Sequence, residues 1–197
     1  MPIAPVVLNI LEWTAVVLNV GFTLCIAYEK RIGWLLGFVA GVIGVGLYAL
    51  AHTWAMGLLN VYYVAMAVYG WWSWGRDDQE KGIRTQSLRF HAILIVASLL
   101  LSYAIYVLLA QYLDGHFPQL DAFVTVFSFI ATWMMTRKMI ANWAYFILAD
   151  SVAVYLNWRI GYQGYALLNG MYLVLSVVGL MKWGKALAKQ REGAITA

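Results

Sequence analysis

Charge is scarce in this chain of 197 residues: it has 13 Lys+Arg, 9 Asp+Glu, 11% charged residues in all and 63% hydrophobic ones. An ordinary soluble domain carries roughly 25% charged and 45–50% apolar residues. There is too little polar side chain here to cover a water-facing surface, so a soluble enzyme, a disordered chain and a nucleic-acid binder are disfavoured. Cysteine is nearly absent as well. The single Cys25 excludes an internal disulfide and a cysteine zinc site, and is read as a small buried hydrophobe. The three histidines, His52, His91 and His116, lie near span ends or in loops. No two share a helix face at i, i+3 or i+4, so no metal site is expected. The chain lacks a G-x-x-x-x-G-K-[ST] phosphate loop, which excludes an ATP motor of that type. No nucleophile–base pair stands out, so no catalytic residue, enzymatic activity or cofactor is expected. The N-terminus has no basic n-region, and no cleaved signal peptide is expected.

Long apolar runs, by contrast, are plentiful. A membrane helix needs about 20 mostly apolar residues. Seven candidates follow: Val6 to Tyr28, Trp34 to Ala51, Trp54 to Trp74, His91 to Leu113, Ala122 to Met135, Trp143 to Trp158 and Tyr162 to Trp183. The fifth and sixth are short. Strand alternation is missing, and the runs are too long for barrel strands. The fold class expected is all-α, a single integral-membrane domain over 1–197. The seventh run has no Lys at mid-span, since Lys182 lies at its end, which argues against a retinal Schiff-base protein.

The sparse charges are sorted. Lys30 and Arg31 follow span one; Arg76, Lys81, Arg84 and Arg89 follow span three; Arg137 and Lys138 follow span five; Lys182, Lys185, Lys189 and Arg191 end or follow span seven. Twelve of the 13 basic residues thus share one side, and only Arg159 faces the other. The positive-inside rule then predicts N-terminus out, C-terminus in and an odd number of spans. The net charge of +4 is topological and calls for no acidic or nucleic-acid partner. The polar stretch Gly75 to Ser87 reads as a solvated cytoplasmic linker.

Shifting the chain by 109 residues aligns 11–76 with 120–185 without a gap. Leu11-Glu12 meets Leu120-Asp121, Thr23 meets Thr132, Trp34 meets Trp143 and Leu58-Leu59-Asn60 meets Leu167-Leu168-Asn169. Tyr63 meets Tyr172, and Gly70 with Trp74-Gly75-Arg76 meets Gly179 with Trp183-Gly184-Lys185. A shared Asn, shared Trp and a common G-x-x-x-W-G-[RK] ending in one register point to duplication. The plan expected is three helices (11–76), a loop with linking helix four (77–119), three helices (120–185) and a cytoplasmic tail (186–197). Three is odd, so the linking helix gives both repeats one orientation. Parallel repeats are a transporter architecture, with the site expected between the halves near mid-membrane.

A polar side chain in the apolar slab is costly unless it is paired or lines a cavity. Asp150, mid-way along span six, is the clearest case. On a helix it shares a face with Trp143 and Phe146, seven and four residues back. An acid above aromatic rings suits a flat cation, by stacking or cation–π contact. Asn60 and Asn169 occupy equivalent places in the two repeats, each with a tyrosine three residues on, Tyr63 and Tyr172. They can read hydroxyls or an amide, or pin helices together. Glu12 and Asp121 read as interfacial acids. Trp74 and Trp183 suit an aromatic belt at the cytoplasmic interface, whereas Trp71 is a candidate for the inner mouth.

Asn60-Val-Tyr-Tyr followed by Tyr69-Gly-Trp-Trp-Ser-Trp74, and Thr136-Arg-Lys-Met-Ile-Ala-Asn-Trp143 leading into Phe146 and Asp150, resemble the PnuC family of vitamin transporters. The likeness spans roughly 11–185. It implies a multi-pass carrier of the bacterial inner membrane with a three-one-three plan similar to that of SWEET sugar transporters. It also implies uptake by facilitated diffusion, with the ligand trapped by a cytosolic kinase. Members carry nicotinamide riboside, and others thiamine, riboflavin or deoxynucleosides. The substrate-binding residues expected are Asn60, Tyr63, Trp71, Trp143, Phe146, Asp150, Asn169 and Tyr172. Members that carry nicotinamide riboside often have Gln in place of Asn60 and Trp in place of Phe146. Nicotinamide riboside leads as the expected substrate; thiamine, also a flat cation, is the alternative. A further alternative is the binding subunit of a larger vitamin importer. Lipid is the other expected partner, and a homo-oligomer is possible.

Overall fold

The computed structural model describes residues 5–50, 54–76, 82–112, 117–161 and 163–196. His52, His116 and residues 77–81 of the linker lie outside them. The described chain is helical: α1 (Pro5–Ala27), α2 (Ile32–Leu50), α3 (Trp54–Arg76), α4 (Leu88–Tyr112), α5 (Pro118–Thr136), α6 (Asn142–Arg159) and α7 (Gln163–Thr196). Among the described residues there is no strand, only one isolated bridge between Arg84 and Met139. By length and composition α1, α2, α4, α5 and α7 can each cross a membrane. The other two helices are the ones with polar or aromatic content: α3 carries Asn60 and a run of Trp and Tyr, and α6 carries Asn142, Asp150, Asn157 and Arg159.

The chain forms two compact units, Met1–Lys81 and Gly82–Ala197. In the first, α2 packs against both α1 and α3. In the second, α6 packs against both α5 and α7, and α4 lies on α5. Between helices in lipid there is no hydrophobic driving force, so close packing and small residues must hold them. Glycines supply the closeness. Along α2, Gly33 and Gly37 lie against Cys25 and Phe22 of α1, while Gly41 and Gly44 lie against Val64 and Asn60 of α3.

Local features recur at the 109-residue offset. The α1–α2 turn has Glu29 at φ 54 and the α5–α6 turn has Lys138 at φ 50. Both close as Schellman caps: Glu29 N–H donates to Ile26 O (2.9 Å) and Lys30 N–H to Cys25 O (2.7 Å), while Lys138 N–H donates to Met135 O (3.0 Å) and Met139 N–H to Met134 O (3.0 Å). A non-glycine residue in this left-handed region costs on the order of 1–2 kcal/mol. The ring of Trp34 lies on Gly70 and meets Trp74 edge-on, centroids 5.5 Å apart. Trp143 lies on Gly179 and meets Trp183 edge-on, also at 5.5 Å.

Two sequence expectations change. Trp74 and Trp183 are not belt residues: they are 6% and 0% exposed, because each faces its neighbouring helix rather than the headgroup layer. The end of the linker is docked rather than solvated. Arg84 N–H donates to Lys138 O (2.9 Å) and Ile140 N–H donates to Arg84 O (3.0 Å), which fastens the segment to the α5–α6 turn. Ile83 is buried beneath it at 3% exposure, and Gly82 lies against Gln190 of α7. Beyond Trp183, α7 continues to Thr196, since Lys185 to Glu192 are mostly strong helix formers. Ile83→Asp is expected to release the docked segment, seen as faster proteolysis between α3 and α4 with α4–α7 otherwise intact. Asp121 is exposed in the first turn of α5, where the helix dipole favours an acid, and Glu12 is exposed on α1.

Candidate substrate-binding site

In the second unit the buried amide and acid, Asn142 and Asp150, lie on α6, and the buried Ser176 lies on α7, which packs against it. On α7, Asn169, Tyr172, Ser176, Gly179 and Trp183 follow a 3-4-3-4 spacing, which keeps them on one side of the helix. Ser176, Gly179 and Trp183 are buried. On α6, Asn142, Phe146, Asp150 and Ala153 form the matching stripe.

Asp150 is the centre of this arrangement. It lies half-way along α6 and is 9% exposed. The stripe of α7, which packs against α6, carries buried Ser176 and half-buried Tyr172 alongside this acid's helix. No Lys, Arg or His is paired with Asp150 among the described residues. An acid this deep without a cation partner is what a cationic ligand would complete. Phe146 is half-buried and packs on the cluster formed by Phe127, Ala131, Met134, Met139, Tyr145 and Ala149. Asn169 is half-buried, and its amide donates to Tyr165 O of its own helix (2.8 Å).

Trp143 shares the face of Asp150 and Phe146 but is fully buried. Its ring is held between the α7 backbone at Gly179 and the edge of Trp183, and its indole N–H has no hydrogen-bond partner. It is a helix-packing residue in this structure, as Trp34 is in the first unit. Asn142, next to it, donates to Met139 O (2.7 Å) and caps the α5–α6 turn.

The first unit holds the remaining sequence candidates. Asn60 seats its side chain on α2 at Gly44, where a Cβ would overlap it. Tyr63 is half-buried, with its ring 5.7 Å from that of Tyr62. Trp71 lies under the Arg31 guanidinium, 4.0 Å from the ring centroid, and its carbonyl accepts from Arg31 Nε (2.8 Å). A shallow recess lined by Trp34, Leu35, Phe38, Ala67, Val68 and Trp71 is largely apolar and carries no charged side chain.

Set side by side at the 109-residue offset, the two units differ where it matters. The α2 glycines Gly33, Gly37 and Gly41 correspond to Asn142, Phe146 and Asp150 of α6, and Ala67 corresponds to Ser176. One unit closes this stripe with glycine and alanine; the other furnishes it with an amide, an aromatic ring, an acid and a hydroxyl. Helix packing therefore does not require the acid. Ser176 was not among the residues singled out from sequence, although its departure from Ala67 beside the Gly41–Asp150 departure was there to be read.

Residues 9–185 match the family described as nicotinamide mononucleotide transporter. The chain belongs to this family. Relatives include the riboflavin/roseoflavin transporter RibM of Streptomyces davaonensis, 26% identical over 168 residues covering 82% of this chain and 78% of RibM. The nicotinamide riboside transporter PnuC of Neisseria mucosa is 26% identical over 201 residues, covering 92% of this chain and 75% of PnuC. PnuC of Escherichia coli is 22% identical over 201 residues, covering 86% and 83%. The fold resembles the crystal structure of the vitamin B3 transporter PnuC, with a TM-score of 0.72, 20% identity, and coverage of 91% of this chain and 82% of that one. As a PnuC-family member the chain is an integral-membrane transporter of the vitamin class and not an enzyme.

Proposed function

We propose that this transporter takes up nicotinamide riboside, or a ligand of the same kind: a flat, monocationic heterocycle carrying hydroxyls. The observation that carries the reading is Asp150, a nearly buried acid with no cationic partner among the described residues, on a stripe that the other unit fills with glycine. The carboxylate would face the ring's positive charge, with Phe146 as the aromatic neighbour and Tyr172 and Asn169 for hydroxyls; Asn60 and Tyr63 are the equivalent candidates of the first repeat. Trp143 would act by holding α6 against α7, and Trp71 as a lining residue near the cytoplasmic end.

The family description names a mononucleotide. A phosphate dianion next to Asp150 would be repelled, and no basic side chain accompanies it on the α6 or α7 stripe. The unphosphorylated riboside fits the electrostatics better. Mononucleotide at tenfold excess is therefore expected not to displace bound riboside; displacement would show that the carboxylate does not face the ligand.

The duplication supports a three-one-three plan of parallel repeats and transport by rocking of one repeat against the other. The 12 basic residues on one side support N-terminus out and C-terminus in, in a bacterial inner membrane. Uptake would be facilitated diffusion, made one-way by a cytosolic kinase that phosphorylates the ligand. Thiamine, a flat cation too, is the alternative within the same chemistry. RibM favours a neutral flavin instead, and that is the second reading.

Purified chain in liposomes, with labelled riboside outside and no nucleotide or ion gradient, tests the proposal. Saturable entry that stops at equal concentrations supports it. Entry that needs an added ATPase would make the chain the binding subunit of a larger importer, and entry of riboflavin alone would favour the flavin reading.

A further inference from the structure

We propose that the α2–α3 cleft, at its end next to the α1–α2 turn, binds an anionic phospholipid, with the Arg31 guanidinium on the lipid phosphate and the apolar recess on the start of an acyl chain. The proposal goes beyond the riboside reading and does not depend on it.

Both α1 and α2 can cross a membrane, so the turn that joins them lies at a bilayer surface. Arg31 stands on that turn, one residue before α2 begins. Its guanidinium is held in place rather than left on a flexible stem. Nε donates to Trp71 O (2.8 Å), Cζ lies 4.0 Å from the centroid of the Trp71 ring, and Gly75 leaves the space that the guanidinium fills. A guanidinium carries five N–H donors, of which Nε supplies one. Among the described residues Arg31 makes no other hydrogen bond and no ion pair. The remaining fork matches a phosphate in shape and charge. Exposed Lys30 adds a second positive charge to the turn, and Glu29 is its one acid.

The recess begins next to this cation. Arg31, Leu35 and Phe38 follow an i, i+4, i+7 spacing on one face of α2, which sets Leu35 and Phe38 about 6 and 10 Å further along the helix. Ala67, Val68 and Trp71 line the recess from α3, and its volume is about 180 Å³. Leu35, Val68 and Trp71 are 46%, 54% and 38% exposed, so the recess is reached from outside the helix pair. A fixed cation at the surface with an apolar cleft running inward from it is complementary to a phospholipid, whose phosphate and chain are spaced in the same order. A free phosphate would use the cation alone, and a cationic ligand would be repelled by it.

The duplication supplies a control within the molecule. At the 109-residue offset Arg31 becomes Ile140, Trp71 becomes Leu180, Leu35 becomes Ala144 and Phe38 becomes Ile147. Gly184, the equivalent of Gly75, meets nothing within 4 Å. In the second unit the chain itself covers the turn, since Ile140 N–H donates to Arg84 O of the docked linker end (3.0 Å). The equivalent helix pair thus packs without the arginine and without the indole beneath it. Those two residues, and the recess beside them, are particular to the first unit.

The test is native mass spectrometry of the full-length protein in detergent, titrated with dioleoylphosphatidylglycerol and separately with dioleoylphosphatidylcholine, which has the same chains and no net charge. The ratio of the two affinities is the readout. Wild type is expected to favour the anionic lipid by about tenfold, and Arg31→Gln to remove that preference, as loss of a hydrogen bond to a charged group does. Arg31→Lys keeps the charge but not the fork, and is expected to lose about threefold. Leu35→Trp fills the recess and leaves Arg31 in place, so it keeps the test open where Arg31→Gln loosens α3; it is expected to weaken phosphatidylglycerol binding at least about threefold. Arg137→Gln, at the α5–α6 turn, is the control and is expected to leave the ratio unchanged. A wild-type ratio near one, or equal losses in Arg31→Gln and Arg137→Gln, would overturn the site in favour of general surface charge. Displacement of the lipid by equimolar glycerol phosphate would show that the recess holds no chain. Displacement by nicotinamide riboside would place the recess on the transport path and overturn the proposal as well.

Discussion

Asp150→Asn is expected to weaken binding and uptake of a cationic riboside by about 30-fold or more while the protein still folds. Asparagine matches the carboxylate in shape, so packing of α6 on α7 is preserved. What is lost is the negative charge. Removing one partner of a buried, hydrogen-bonded charge pair costs about 2–5 kcal/mol, and each 1.4 kcal/mol is tenfold. The loss should fall on the cation specifically, because a neutral ring draws nothing from the charge. Uptake at several concentrations checks this: the half-saturating concentration should rise while uptake of a neutral analogue is unchanged or improved.

Gly179→Val is expected to lower the melting temperature by about 6–12 °C, and Gly70→Val to do the same through the first unit. The Trp143 and Trp34 rings lie directly on these glycines, and a Cβ at either has its nearest neighbours in the indole. Overpacking of this kind costs up to about 3 kcal/mol, and about 2–4 °C accompanies each kcal/mol in a chain of this size. Trp143→Ala should relieve part of the defect of Gly179→Val, a coupling that a double-mutant cycle reads directly. Gly184→Ala and Gly193→Ala serve as controls. They meet nothing within 4 Å and are expected to be neutral or slightly stabilising. Equal damage from Gly179→Val and Gly184→Val would mean that the indole contact does not govern the loss.

Much of the architecture is written in the sequence because membrane helices announce themselves by length. The apolar runs marked all seven helices of the described residues, with α5 and α6 extending a few residues beyond their runs and α7 continuing from Trp183 to Thr196. The α5 extension begins at Pro118, which suits a first helical position. Side-chain direction was harder to read. Composition places Trp74 and Trp183 near an interface, but whether a tryptophan faces lipid or the next helix depends on what stands opposite. Here that is the indole of Trp34 or Trp143, each seated on a glycine. Docking of the linker end was hidden for a similar reason: Ile83 is one apolar residue in a polar stretch, and its burial follows from backbone pairing of Arg84 with the α5–α6 turn.

For the candidate site the cost of burying an acid singled out Asp150, and helix periodicity placed Phe146 and Trp143 on its face. The distinction between those two aromatics required three dimensions, since Phe146 is half-buried and Trp143 is enclosed. Ser176, buried on the α7 stripe, is hard to single out from sequence because serine is cheap in a membrane helix and usually satisfies itself on its own backbone. Its significance emerges from the comparison of two copies of one helix pair. The glycine stripe of α2 shows what the packing needs, and the departures from it in α6 and α7 show what is left over for the ligand.

The most direct test of that account is a pair of tryptophan-fluorescence or calorimetric titrations of the purified wild-type protein, one with nicotinamide riboside and one with its uncharged dihydro form. The two ligands share size and hydroxyls and differ in the charge of the ring. Asp150 as the cation partner predicts that the charged form binds more tightly by at least about tenfold. Equal affinities, or tighter binding of the neutral form, would contradict it.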